Sequence, residues 1–187
     1  MGFIMIYFMM HLMRIHWGFV FSLGVFLLFS GCKKEEDLPG FDMQYQQEFT
    51  MQAGLGAFVT HHFYFKNLPT RYNSLLTQFG KTDEDIKRIL PAQAQLVGVF
   101  GDADFSVIEE AVLRVYSESD PAGILEVAYR FPTPIDPSNT FDIIPGLADA
   151  KKIMSRERFS IDLALRLRNI TQDETPVRMS LKFKAVY

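Results

Sequence analysis

Three stretches of this chain alternate between apolar and polar residues, and that alternation constrains the fold more than any other feature. In residues 159–168 and again in residues 177–187, every odd position is apolar, except that the last one is Tyr187. Residues 41–51 follow the same rule with one exception, Gln47. A period of two residues is typical of a β-strand with one face in the core and the other in water. The sequence therefore predicts a core built from strands, with odd-numbered side chains pointing inward.

The remaining strands are predicted from shorter apolar segments. Residues 58–65, 93–100 and 105–116 carry β-branched or aromatic residues at both parities, as expected for strands covered on both faces. Residues 124–131 and 140–144 add two more strands, and each is followed by proline. A short connection of about six residues, 169–174, lies between the last two alternating stretches, which predicts that they pair as an antiparallel hairpin.

These segments amount to about eight strands and define the predicted fold class. We expect an all-β fold, a single antiparallel β-sandwich or flattened barrel spanning residues 41–187. Two or three short helices interrupt it. Residues 82–91 combine a Thr82 cap, Asp85 three residues later and Pro91 as a stop. Residues 147–154 are expected to bury Leu147, Ala150 and Met154, and a third turn is expected at residues 72–79, ending at Gly80.

The N-terminus carries a different kind of signal. An apolar run from Trp17 to Phe29 ends at Ser30 and Gly31, and the only cysteine of the chain, Cys32, follows directly. This segment resembles bacterial lipoproteins processed by the type II signal peptidase, although Phe29 departs from their commonest pattern. The resemblance implies that residues 1–31 are a cleaved lipoprotein signal peptide and that Cys32 is acylated and anchors the protein to a membrane. The alternative is an uncleaved transmembrane anchor, but Arg14 and His16 split the apolar material into segments too short to span a bilayer.

A charged segment follows the cysteine. Residues 32–40 are predicted to be a lipidated flexible tether, within which Lys33, Lys34, Glu35, Glu36 and Asp37 form a charged run. The run resembles the export signal of Bacteroidetes surface lipoproteins, and the chain as a whole is similar to small lipoproteins of that group. The resemblance implies an outer-membrane location, exposed at the cell surface. If the run is only a solvated spacer, the domain would lie on the periplasmic face.

The search for catalytic, metal and nucleic-acid chemistry gives little. Cleavage of residues 1–31 removes one of the 19 basic residues, Arg14, and none of the 22 acidic ones, which leaves an acidic chain. Nucleic-acid binding needs a clustered basic face, and the sequence shows no such cluster. His61 and His62 are adjacent on a strand and are expected to point to opposite faces. Asp102 and Asp104 could begin a calcium loop, but the strand that follows favours an ordinary turn. We therefore predict no catalytic residue, no metal site and no cofactor.

Three functions remain open. The first is a noncatalytic binding or structural module, such as an accessory subunit of an outer-membrane assembly, with a protein or glycan partner. Aromatic residues on the solvent side would serve it, and Tyr72, Tyr116 and Tyr129 are candidates. The second function is a carrier or chaperone for an apolar ligand. The third is a hydrolase whose site the sequence does not show.

Overall fold

The computed structural model describes residues 38–101, 103–136 and 138–187, of which Pro39–Tyr187 form one compact unit. Nearly all of the regular structure in these residues is strand, which confirms the all-β class. The strands are β1 (Gly40–Met51), β2 (Thr60–Pro69), β3 (Arg88–Gly98), β4 (Ile108–Ser117), β5 (Asp120–Arg130), β6 (Thr140–Pro145), β7 (Arg158–Leu167) and β8 (Thr175–Val186).

All strand pairs are antiparallel, and the strands form one nearly closed sheet in the order β1-β8-β3-β6-β5-β4-β7-β2. The sheet folds into two halves, β1-β8-β3-β6 and β2-β7-β4-β5. A short pairing of β5 with β6 joins them, through Ala128 with Pro145 and Tyr129 with Ile144. This strand order is that of a jelly roll, an eight-stranded arrangement of two Greek keys. The eight predicted strands are present, but they form one continuous sheet rather than two separate ones.

The core lies between the two halves and is filled by the residues that the alternation predicts. The odd-numbered side chains of β7, from Phe159 to Leu167, are almost completely buried, and so are those of β8 from Val177 to Ala185. Phe41, Met43 and Met51 of β1 are buried as well. The predicted inward face is therefore confirmed for these strands.

The predicted hairpin of β7 with β8 is wrong. β7 pairs with β2 and β4, whereas β8 pairs with β1 and β3, so the two strands lie in opposite halves of the sheet. Alternation identifies the buried face of a strand but carries no information on which strand lies beside it. The connection at residues 168–174 crosses from one half to the other instead of closing a hairpin.

The outer face of β7 also differs from expectation. Ser160, Asp162 and Ala164 are buried although they point away from the core. Outward side chains of the neighbouring strands β2 and β4 cover them, and two of these, His62 and Arg114, contact Asp162. The alternation predicts a wet outer face here, but β7 has a strand on each side and its short side chains lie below longer ones.

Two α-helices lie at the end of the sheet where β1 begins. Helix α1 (Tyr72–Phe79) confirms the predicted turn and ends at Gly80, whose φ of 61° is the left-handed conformation that favours glycine. Helix α2 (Lys151–Met154) is shorter than the predicted 147–154 segment. Ala150 and Met154 are buried as expected, but Leu147 lies before the helix and is 90% exposed.

The helix predicted at residues 82–91 is wrong. The capping box of Thr82 and Asp85 is present, yet it caps only a 3₁₀ turn at Asp83–Asp85. The chain then enters β3, where Arg88–Leu90 pair with residues 184–186 of β8 and Ile89 is completely buried. Pairing with β8 satisfies the main chain and buries Ile89, and this tertiary gain outweighs the local helix signal.

Candidate functional site

Four connections meet at the end of the sheet opposite the helices, and we call this surface the loop end. They are residues 52–59 between β1 and β2, 99–107 between β3 and β4, 131–139 between β5 and β6, and 168–174 between β7 and β8. The antiparallel registers place these connections together, because β1, β3, β5 and β7 all finish at this end. Each of the four connections crosses between the two halves of the sheet, so together they cover this end of the core.

Every one of these loops carries an exposed large apolar side chain. The six residues are between 53% and 75% exposed, and Phe100 is the most exposed of them. Taking such a side chain from full exposure to full burial is favourable by roughly 1.5–3 kcal/mol, and contact with a partner would supply the exposed part of that. The exposed residues are Phe58, Val59, Phe100, Phe131, Ile135 and Ile170.

Hydrogen bonds tie the first and last loops together. Thr171 is buried, and its hydroxyl group donates to the Gln52 carbonyl over 2.6 Å and accepts from the Leu55 amide over 2.9 Å. The main chain of Thr171 also accepts a hydrogen bond from the Gly54 amide at 2.8 Å. Because the Thr171 hydroxyl both donates and accepts a hydrogen bond across the two loops, it fixes their relative position.

The other two loops are joined in a similar way. The Asn139 side chain accepts from the Ala103 amide at 3.1 Å and donates to the Gly98 carbonyl at 3.3 Å. Gly98 is required at this point, because a Cβ atom there would lie 2.1 Å from the Asn139 amide oxygen. Arg168 adds a further link by donating to the Thr133 hydroxyl at 2.8 Å. The loop end is therefore held by polar contacts among all four connections.

An open groove lies in this surface, and its lining combines apolar and acidic groups. It has a volume of about 430 Å³, and the half-buried Val107, together with the buried Met51 and Phe105, forms its apolar wall. Asp104, Asp173 and Glu174 also line it. In the sequence, the four loops contain five acidic residues and a single basic one, Arg168, which is engaged with Thr133. The loop end thus presents apolar side chains in an acidic setting.

The described residues of the turn before β4 have ordinary turn geometry. Gly101 has a φ of 81°, and its amide donates to the Gly98 carbonyl, which closes a tight turn. Asp104 uses its carboxylate to accept from the Ser106 amide at 2.9 Å and so caps a 3₁₀ turn at Phe105–Val107. Asp102 lies outside the described residues. Within the described parts of the chain, no three His, Cys, Asp or Glu residues are placed to hold a metal ion.

The two histidines point to opposite faces, as predicted. The ring of His61 is hydrogen-bonded through Nε2 to the Gly56 carbonyl at 2.9 Å. His62 lies on the outer face with Nδ1 2.8 Å from a carboxylate oxygen of Asp162, a residue only 4% exposed. Arg114 approaches the other carboxylate oxygen at 3.4 Å.

This outer-face network continues along β7. Ser160 donates to Glu118 at 2.8 Å and accepts from the Asn67 amide. Burial, and after it the nearby Glu118 carboxylate, raise the pKa of Tyr116. Among the described residues the hydrogen bond of the His62 ring is to Asp162, and no hydroxyl group is bonded to it. The contacts hold the outer side chains of β2, β4 and β7 in place.

The three tyrosines predicted on the solvent side differ in their exposure. Tyr129 is exposed, Tyr116 is half-buried, and Tyr72 is buried with its hydroxyl donating to Asp83 at 2.7 Å.

The predicted lipidation site Cys32 and the charged run from Lys33 to Asp37 lie outside the described residues. In the part of the chain that is described, none of the helices combines the length and apolar character needed to cross a bilayer.

Comparison with known proteins adds little to this description. No family model matches the chain, and no curated protein matches it. Among solved structures, a chain of Desmodium yellow mottle tymovirus matches 84% of this chain over 95% of its own length, with 8% sequence identity and a TM-score of 0.25. Similarity at that level carries no argument.

Proposed function

We propose that this protein is a noncatalytic binding module that is anchored to the outer membrane through acylated Cys32, exposed at the cell surface, and binds a protein partner through its loop end. The observation that carries the proposal is the exposed apolar residue on each of the four loops, in loops fixed to one another by Thr171, Asn139 and Arg168. Exposed apolar side chains grouped at one place are typical of interaction sites.

The position of the loop end supports the same proposal. β1 begins at Gly40, at the end of the sheet that carries α1 and α2, and the loop end is at the other extreme. The predicted tether, residues 32–40, ends at the start of β1 and would therefore join the domain at the end away from the loops. An anchored module with this geometry presents its loops away from its own attachment point.

The chemistry of the loop end indicates the kind of partner. Acidic residues outnumber basic ones five to one in the four loops, and the acidic groove has apolar side chains in its lining. Such a surface suits a protein surface with apolar and basic side chains, since potentials across an interface are complementary. The same acidic character disfavours an anionic lipid surface, which attracts basic segments.

Two observations favour this function over the carrier and the hydrolase. Inward positions along the central strands are filled by large side chains such as Phe159, Phe183 and Leu163, which occupy the space an apolar ligand would need. The histidine best placed for general-base chemistry, His62, contacts Asp162 on the open outer face of the sheet. Neither arrangement supplies the enclosed site that those functions use.

Site-specific photo-crosslinking of the full-length lipoprotein in native membranes tests the loop end. A benzophenone amino acid at position 100 should give a discrete adduct, whereas the same probe at position 147, 90% exposed at the opposite end, should not. Phe100→Ser in combination with a probe at position 135 should weaken the adduct, and Leu147→Ser should leave it unchanged. Rising salt should weaken it too if the partner is basic. Equal labelling from positions 100 and 147 would contradict the proposal.

The anchor is tested by changing Cys32. A Cys32→Ala variant should be released from membranes or remain as an unprocessed precursor, since acylation needs the thiol. Intact-mass spectrometry of the wild type should give a chain that begins at Cys32 and carries added lipid. A mature chain beginning at Cys32 without lipid would overturn this part of the proposal.

The export signal is tested separately from the anchor. Replacing Glu35, Glu36 and Asp37 together by alanine should leave acylation and folding intact but retain the protein on the periplasmic face. Protease treatment of intact cells distinguishes the two locations. If variant and wild type are equally accessible, the charged run is only a spacer.

A further inference from the structure

β1 is an end strand of the nearly closed sheet, and among the described residues one of its edges has no strand partner. Within residues 38–101, 103–136 and 138–187, β1 pairs with β8 alone and β2, the other end strand, pairs with β7 alone. Main-chain groups in an antiparallel ladder alternate between the two sides of a strand. About half of the β1 amide and carbonyl groups therefore point away from β8.

β1 lacks most of the features that usually protect a free edge, and its only charged residues are Asp42 and Glu48. Its register with β8 runs from Gly40 to Met51 without a bulge, and its sequence contains no proline, lysine or arginine. β2 differs, because it carries Lys66, a break in register between Phe65 and Leu68, and Asn67 with a φ of 60°. Long regular edges without such features are pairing sites for another strand.

The space beside the middle of β1 is open. A groove of about 450 Å³ is lined on one side by residues 44–47 of β1 and on the other by Leu68, Pro69 and Arg71. Arg71 is the charged residue of that lining, whereas β1 itself contains only acidic charges, Asp42 and Glu48. A second β1 strand along this edge would carry charges opposite in sign to Arg71, although its Asp42 and Glu48 side chains point to the outer face of the sheet.

Inward-facing side chains near this edge are less buried than those of the central strands. Tyr45 and Phe49 of β1 and Phe63 of β2 are half-buried, although they point towards the core. Phe49 and Phe63 contact each other with ring centroids 4.5 Å apart. An added strand at β1 would cover apolar surface that the isolated domain leaves in water.

We propose that β1 pairs with β1 of a second copy of this chain, antiparallel and centred on Gln46, so that the two half-sheets become continuous. This register overlaps residues 41–51 of both copies. On the outer face it places Gln46 opposite Gln46, Gln44 opposite Glu48 and Asp42 opposite Thr50, with no like charges directly opposed. Displacing the register by two residues in one direction would set Asp42 opposite Glu48, and in the other direction it would shorten the overlap.

The acidic residues of β1 do not prevent this pairing. Glu48 is held by Arg178 at 2.8 Å and Asp42 lies 3.7 Å from Lys182, both cations being on β8. Each carboxylate therefore has a cation on its own copy. The pairing uses the side of the sheet and leaves the loop end free, so it is independent of the proposed function.

Cysteine cross-linking of the full-length lipoprotein in native membranes tests the register. Gln46→Cys should form a disulfide-linked dimer under mild oxidation, because the two copies of residue 46 face each other across the axis. In Gln44→Cys the two thiols would be separated by four residues, roughly 13 Å along the strand. Since Cα atoms more than about 7 Å apart cannot be bridged, we expect Gln46→Cys to cross-link at least about ten-fold faster. Mixing Gln44→Cys with Glu48→Cys should restore rapid cross-linking.

Controls separate this result from nonspecific collision. Gln93→Cys is exposed on the same sheet but two strands from the edge, and it should not cross-link, nor should the wild type. Gln46→Lys should reduce the dimer fraction in native mass spectrometry, because it brings two cations together, whereas Gln93→Lys should not. Thermal unfolding checks that each variant folds.

Three outcomes would overturn the proposal. The first is equal cross-linking at positions 44 and 46, and the second is no dimer from Gln46→Cys in a folded protein. The third is an adduct whose mass is not twice that of the chain, which would mean that another protein occupies this edge.

Discussion

Truncation of Leu163 to alanine tests the assignment of the core with the least ambiguity. Leu163 lies in the middle of β7, is 0% exposed, and has Phe63 of β2 and Leu113 of β4 as its register partners. Removing three buried carbon atoms forfeits about 2.4 kcal/mol of transfer free energy. The flanking strands are fixed by their ladders and close the cavity only in part, so the total loss should be about 3–5 kcal/mol.

The matched control makes the same chemical change in water. Leu147→Ala removes the same atoms from a side chain that is 90% exposed, and should change the free energy of unfolding by less than about 0.5 kcal/mol. Urea unfolding of both variants, with the m-value compared to that of the wild type, measures the two effects. Equal losses at the two positions would show that the buried face of β7 has been misassigned.

The remaining predictions concern polar contacts. Thr171→Val keeps the shape of the side chain but removes the hydroxyl group that joins two loops, and it should lower the free energy of unfolding by about 1–3 kcal/mol. Thr171→Ser keeps the hydroxyl group and should lower the free energy of unfolding less. Similar losses for the two variants in urea unfolding would refute the role of the hydroxyl. Asp162→Ala should be destabilising by a similar amount, because it leaves His62 and Arg114 without their carboxylate; a neutral effect would mean that the network is not stabilising. Hydrogen bonds from the Thr82 amide and hydroxyl hold the pKa of Asp85 below its ordinary value. The Asp85 carboxylate therefore contributes fully to stability near neutral pH, and this contribution is lost as the pH falls through the folded pKa, below about pH 4. Asp85→Asn should be less stable than the wild type at pH 7 and equally stable in acid, as thermal unfolding at several pH values would measure.

The faces of the strands are predictable from the sequence, whereas their pairing is not. The odd positions of β7 and β8 are apolar and are buried as expected. Pairing depends on contacts between segments far apart in the chain, such as β1 with β8, and no local pattern encodes them. Proximity in sequence therefore predicts the wrong partner for both C-terminal strands.

The helix predicted at residues 82–91 fails for a related physical reason. Its N-terminal signal is correct, because Thr82 and Asp85 do form a capping box. A capping box stabilises only the first turn, and the conformation of the next residues depends on where their apolar side chains can be buried. Ile89 is buried in β3 beside Ala185 of β8, so the sheet determines the conformation of this segment.

The aromatic residues of the loop end are conspicuous in the sequence, but their pattern places them in strands. Phe58, Phe100 and Phe131 form the ends of three predicted strands, because an aromatic residue next to a strand raises its apparent length. In the structure each lies just outside its strand and is exposed. Glycine or proline stands next to two of them, at Gly101 and Pro132, and this is the signal that the strand has already ended.

The connectivity of the fold explains why an interaction site would form at this end. Each of the four loops crosses between the halves of the sheet, so its two ends are held by strands whose side chains form one core. Loops anchored at both ends and bonded to one another keep their exposed side chains in a fixed arrangement, which lowers the entropy lost on binding. The opposite end carries α1, α2 and the start of β1, where the chain enters the domain. The proposed function would use this separation, because a tether that enters at one end leaves the loop end free to contact a partner, and the jelly-roll order places the two at opposite ends.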